Sequence, residues 1–188
     1  MTRLLSWQTG DSPAAMPGAS CVASHDACYD AHVSLLLVEE TKVKATQGRI
    51  GRVFVLRLED GDAVPESIER YAAEQRIRVG QVLLLGGFGE GEVVAGPRTS
   101  SKSPVEPLLL PVDGVHETLG VGLIAPDEAG TPRLHMHGAL GRAGNTLTGC
   151  LRQGVTTWLV AEAVITEILT DTARRQPDPE SGIMLLNV

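Results

Sequence analysis

The chain has 188 residues, a length that suits one domain with a short appendage and can bury a sizeable core. Only 3% of its residues are aromatic, so the interior must be filled by Leu, Val, Ile and Ala, a composition that favours sheet. A formal net charge of -7, with no basic run longer than Arg174-Arg175, argues against duplex DNA as a partner, because duplex binding needs a concentrated basic footprint.

The first twenty residues contain no apolar stretch of the kind a secretory signal needs, and no apolar run is long enough to span a bilayer. A soluble, cytoplasmic protein with no membrane partner is expected. Three cysteines (Cys21, Cys28 and Cys150) do not make a disulfide framework and agree with a reducing compartment.

Residues 1–46 read as an irregular or partly helical N-terminal extension, with Gly, Pro and Ser clustered before Cys21 and no strand alternation. Within it, Cys21, His25, Cys28 and His32 would fall on one stripe of a helix, and two Cys with two His is a zinc-like inventory. Their spacing matches no established zinc module, so chance ligands in a frayed extension are the preferred reading.

The main domain is expected over 47–188. RIGRVFVLRL (Arg49 to Leu58) is a β-rich run that ends at the turn signal Glu59-Asp60-Gly61-Asp62. A helix follows over residues 62–77, with Asp62 as cap, Pro65 in the first turn, and Ile68, Tyr71, Ala72 and Gln75 on one face. QVLLLGGF and EVVAG read as strands on either side of a bend at Gly86 to Gly91, and Pro97 to Pro107 as an exposed polar loop. The Gly-rich stretch leads into a strand and lacks the helix N-terminus of a phosphate cradle.

LLLPV, VHETLGVGLIA, RLHMHGALG, NTLTGCL and TTWLVAEAVITEIL then succeed one another with short turns, the spacing of an antiparallel meander. The fold class is therefore α+β: a mostly antiparallel sheet of six or seven strands with one main helix. One helix covers one face only, so the other face implies a homo-oligomer.

In Leu134-His135-Met136-His137 the two imidazoles sit two residues apart on an expected strand and point to the same face. Cys150 lies beyond a hairpin turn near Arg142-Ala143-Gly144-Asn145. With Ala143-Gly144 as the loop, His137 stands opposite Cys150; with Gly144-Asn145, Cys150 faces Ala139. Both registers bring the thiol to the histidine face, whereas a three-residue loop without a bulge would turn it away. Two imidazoles and a thiolate suit zinc or another divalent metal and leave a fourth position open. Polar histidines on a wet sheet face beside a small buried thiol are the competing interpretation.

FVLRLEDGDAVPESIERYAAEQRI, GGFGEGEV, HETLGVGLIA, PRLHMHGALGRAGNTLTGCL and AEAVITEI together resemble the plants and prokaryotes conserved (PPC) domain family over roughly residues 49 to 188. The most specific part is the His-x-His strand followed by the Gly-x-Leu hairpin. The resemblance implies a homotrimer and a zinc site at this hairpin. Bacterial members normally carry a third histidine in a Gly-Gly-His-Leu turn, where this chain has Thr148-Gly149-Cys150-Leu151. Cysteine is a competent zinc ligand, softer and anionic, so the site would carry less net positive charge. Prokaryotic members are often described as predicted DNA-binding proteins, and plant members carry AT-hook arms; this chain has no Arg-Gly-Arg-Pro arm.

Glu117, Glu162 and Arg57 interrupt otherwise apolar strands. Glu117 is a candidate general acid or base, and Arg57 a candidate anchor for an anionic substrate group; ordinary solvent-facing ion pairs are the alternative for all three. His116 reads as an exposed strand residue. The leading expectation is a trimeric PPC-type protein that binds a divalent metal and a small ligand. The second is a metal-dependent lyase or hydrolase acting on a small carbonyl or carboxylate, since the fold also resembles acetolactate decarboxylase, which uses a zinc held by histidines. A DNA-binding regulator is the third, opposed by the charge.

Overall fold

The chain was analysed as a computed structural model that describes residues 43–188 apart from 102 and 153. Residues 1–42, with Cys21, His25, Cys28 and His32, lie outside the described residues; the short stretch 43–48 is irregular.

The first strand, β1 (Arg49–Glu59), leads through a tight turn into the helix α1 (Val64–Glu74). Pro65 sits in the first turn, where its missing N–H would be unpaired in any case. Asp62 does not cap the helix: its carboxylate accepts the Glu59 N–H at 2.9 Å and closes the β1–α1 turn, while Ala63 holds the cap position. The helix stops at Glu74, three residues before the expected end. Arg76 takes a left-handed conformation (φ 56°), and the Ile77 and Arg76 N–H groups return to the Ala72 and Ala73 carbonyls, satisfying two of the last acceptors.

β2 (Gly80–Glu90), β3 (Glu92–Pro97), β4 (Pro107–Pro111), β5 (His116–Pro126), β6 (Pro132–Arg142), β7 (Asn145–Leu151) and β8 (Thr156–Leu169) complete one eight-stranded antiparallel sheet with β1. Its order is β1-β8-β2-β5-β6-β7-β3-β4. The eight strands exceed the six or seven expected, and the meander covers only β5, β6 and β7. The last long strand, β8, returns between β1 and β2, and the β3–β4 hairpin closes the far edge beyond β7. The Gly86–Gly91 segment is mostly strand: β2 runs on to Glu90 with two bulge-like register shifts against β8, and the chain turns only at Gly91. A separate hairpin of β9 (Arg174–Pro177) and β10 (Met184–Asn187) follows β8.

Alternation divides the sheet into two faces. Ile68 and Ala72 of α1 pack with Val82, Leu84, Ile124, Met136, Leu140, Ala163 and Ile165 on the covered face, all nearly free of solvent. Complete burial of each large aliphatic side chain favours folding by about 1.5–3 kcal/mol. Gly122, paired with Met136, leaves space there: a Cβ would lie 2.9 Å from Leu134 Cδ1 and 3.0 Å from Met136 Cβ. The opposite face bears Val55, Leu83, Leu85, Leu119 and Val121, all exposed in the single chain.

Candidate metal centre

β6 places its residues strictly by period. Leu134, Met136, Gly138 and Leu140 turn to the core or are partly packed against it, whereas His135 and His137 stand on the uncovered face. The β6–β7 turn decides the register that brings Cys150 to them. Ala143 (φ 49°) and Gly144 (φ 81°) both occupy the left-handed region, the signature of a two-residue type I′ turn. Arg142 therefore pairs with Asn145 and His137 with Cys150, the first of the two registers that the sequence allows.

The His135 and His137 Nε2 atoms lie 3.1 Å apart, and one ring nitrogen of each histidine and the Cys150 Sγ all fall within 4.8 Å of one another. Two nitrogens on one tetrahedral zinc stand about 3.3 Å apart, and a nitrogen and a sulfur about 3.6 Å. The imidazole pair thus already has ligand spacing, and the thiol needs to close by no more than about 1 Å. At present it contacts the Leu151 carbonyl at 3.8 Å.

The electrostatics favour the ligand form of His135. Burial lowers the His135 pKa, and the nearby charges of Arg175, His137 and Arg152 lower it further. Burial raises the Cys150 thiol, and the positive charges of Arg152 and Arg175 act against that rise. A thiolate would therefore be formed on metal binding, with release of a proton.

β7 ends at Leu151, so β6 has no β7 partner N-terminal to His137. The exposed backbone edge is capped from α1: Glu69 Oε1 accepts the Leu134 N–H at 2.8 Å. Sequence reasoning missed Arg175, from β9, which is only 5% exposed. Its Nη2 donates to the carbonyl of Leu123 at 3.0 Å, and Leu123 is the residue paired with His135 across β5–β6.

The other candidates lie elsewhere. Glu117 shares the uncovered face but is four residues along β5 from Val121, the partner of His137, roughly 13 Å at strand rise. Arg57 is on β1, four strands from β6, roughly 19 Å away, and is bound to Glu59 at 2.7 Å in an exposed pair. Within one chain neither reaches the His/His/Cys cluster. Glu162 is exposed directly across from Arg57. His116 is buried rather than exposed, with Nδ1 2.8 Å from the Gly114 carbonyl oxygen.

Residues 45–169 match the Plants and Prokaryotes Conserved (PCC, also written PPC) domain. The chain belongs to this family. Among solved structures, the metal-containing protein AF0104 of Archaeoglobus fulgidus is similar at a TM-score of 0.67 and 20% identity, over 76% of this chain and 98% of that one. A plant- and prokaryote-conserved (PPC) protein of Pyrococcus horikoshii gives 0.65 at 19% identity, over 76% and 96%. A Ralstonia eutropha JMP134 protein whose name carries a provisional DNA-binding assignment gives 0.56 at 22% identity, over 71% and 90%. At these identities the likeness establishes the fold. A bifunctional protein GlmU of Synechococcus sp. is 31% identical over 140 residues; the chain spans only 20% of that relative's length. The PCC match stops at the end of β8, so the β9–β10 hairpin and Arg175 lie outside it.

Proposed function

We propose that this PCC-family chain binds one divalent ion, zinc by the character of its donors, through His135, His137 and Cys150. The convergence of these three side chains on the uncovered face is the observation that carries the reading. Three protein ligands leave a tetrahedral zinc one further position, which a water or a small ligand would fill. The bound ion would act there as a Lewis acid. The protein's part is to favour the neutral form of His135 and to present His137 and the thiol beside it.

The exposed apolar side chains of the uncovered face support association, read here as a homotrimer in line with the family resemblance. Leu119 is 70% exposed, Val121 59% and Val55 79%, and an apolar sheet face of this kind is ordinarily covered by association. Among the described residues no helix is long and apolar enough to cross a membrane. An acidic chain of net charge -7 with an apolar face suits subunit contact better than a phosphate backbone, so DNA is not the favoured partner despite the Ralstonia name. The second reading, a metal-dependent enzyme acting on a small carbonyl or carboxylate, is favoured by the open coordination position.

Elemental mass spectrometry of the untagged protein tests the reading. Near one zinc per chain is expected, lost in His135→Ala and Cys150→Ala, with a trimer mass by light scattering. A wild-type chain that takes up no metal after incubation with zinc would refute it.

A further inference from the structure

Among the described residues, Arg175 is a buried cation without an anion. It is 5% exposed, makes one hydrogen bond, to the neutral Leu123 carbonyl, and its Nε is buried with no acceptor among the described residues. A buried donor left unpaired is strongly unfavourable, and a buried charge ordinarily has a partner. The one carboxylate whose charge acts on it, Glu69, is engaged elsewhere: Oε1 with the Leu134 N–H and Oε2 with Arg133 at 3.6 Å. No ion pair joins Arg175 to any acidic group among the described residues.

Its position gives this imbalance a meaning. Arg175 is tethered to the strand residue that faces His135, and its charge acts on both His135 and Cys150, as does that of Arg152. Two neutral imidazoles and one thiolate around a divalent ion leave a net positive centre, and two guanidinium groups beside it add to that excess. Among the described residues, no carboxylate offsets that excess.

We propose that Arg175, presented by the β9–β10 hairpin beyond the PCC match, is the anion-binding residue of a subsite for a small carboxylate, ideally one with an adjacent carbonyl oxygen. The carboxylate pairs with the guanidinium fork, while the neighbouring oxygen lies toward the open metal position; this rests on the metal reading above. Guanidinium groups bind carboxylates in paired, charge-assisted hydrogen bonds. The apolar Val121 and Leu123 side of β5 suits a short carbon chain. Inorganic phosphate offers neither a carbon chain for that apolar side nor a carbonyl oxygen beside a carboxylate, so it gains less from this arrangement.

The test is calorimetric titration of pyruvate, with inorganic phosphate as comparator, into full-length zinc-loaded protein. Wild type is expected to bind pyruvate more tightly than phosphate. Arg175→Gln should keep its zinc and trimer mass and bind pyruvate about tenfold or more weakly. Arg175→Lys, which keeps the charge and loses the fork, should bind severalfold more weakly and serves if the Gln variant does not fold. Unchanged pyruvate affinity in the folded variants, tighter binding of phosphate, or no pyruvate binding by zinc-loaded wild type would overturn the subsite. Absence of zinc with pyruvate binding that still depends on Arg175 would instead remove the metal reading and leave the subsite standing.

Discussion

The β6–β7 turn offers a direct check on the geometry that brings Cys150 to His137. Ala143 holds a left-handed backbone conformation (φ 49°), where an L residue with an ordinary side chain is disfavoured by about 1–2 kcal/mol. Asparagine enters this region far more readily and, unlike glycine, adds little freedom to the unfolded chain. Ala143→Asn should therefore stabilise the protein by about 0.5–1 kcal/mol. For a chain of this size that corresponds to a rise in Tm of roughly 1–4 °C. Thermal unfolding followed by circular dichroism at one fixed protein concentration reads the change, since association would make Tm depend on concentration. In the other register, with Gly144-Asn145 as loop, residue 143 would be an extended strand residue. Asparagine is then unfavourable by up to about 1 kcal/mol and Tm falls. A fall would refute the type I′ turn, and with it the pairing of His137 with Cys150.

Other perturbations probe the face, the edge and the packing behind the site. Glu167 is 7% exposed and bound bidentately by Arg52 at 2.7 and 2.8 Å, and this bond holds its carboxyl below the usual range. A folded-state pKa below the unfolded value near about 4.3 means that the stabilisation is complete above that value and disappears as pH falls through the folded one. Arg52→Met should lower stability at pH 7 only modestly, because the guanidinium is half exposed, and the deficit measured by urea unfolding should shrink in acid. A deficit independent of pH would contradict the assignment. Leu119→Glu places a charge in the middle of the apolar face and should shift the light-scattering mass toward the monomer; an unchanged mass would exclude this face from the subunit contact. At Gly149 a Cβ would run into the Val94 carbonyl, whose C would lie 2.9 Å away, where β3 and β7 share only two pairs. Gly149→Ala should cost about 1–3 kcal/mol and lower zinc content with all three ligands intact, whereas full zinc content would show that Cys150 tolerates displacement of β7.

The parts of the site legible in the sequence are those governed by short-range rules. The alternation Leu134-His135-Met136-His137 sets two imidazoles on one face through the pleat alone, and the Ala-Gly turn restricts Cys150 to that face in either two-residue register. The same locality explains where reading from sequence fails. Asp62 looks like a helix cap by position, yet the turn after β1 takes its carboxylate first. β8 inserts between β1 and β2, an order no adjacent pair of segments could signal, and this places Arg57 and Glu162 opposite each other, far from the histidines. Arg175 was legible only as half of an Arg-Arg pair in a polar tail. Its burial beside Leu123 follows from a hairpin that begins after the last long strand and meets β5 about fifty residues earlier in the chain, as the separation of 52 in its hydrogen bond to Leu123 records. The donors that would grip the ion are thus set by one hairpin, while the charge that would select what binds beside it depends on long-range packing. Cys150→Ala and Arg175→Gln should therefore separate metal content from ligand affinity.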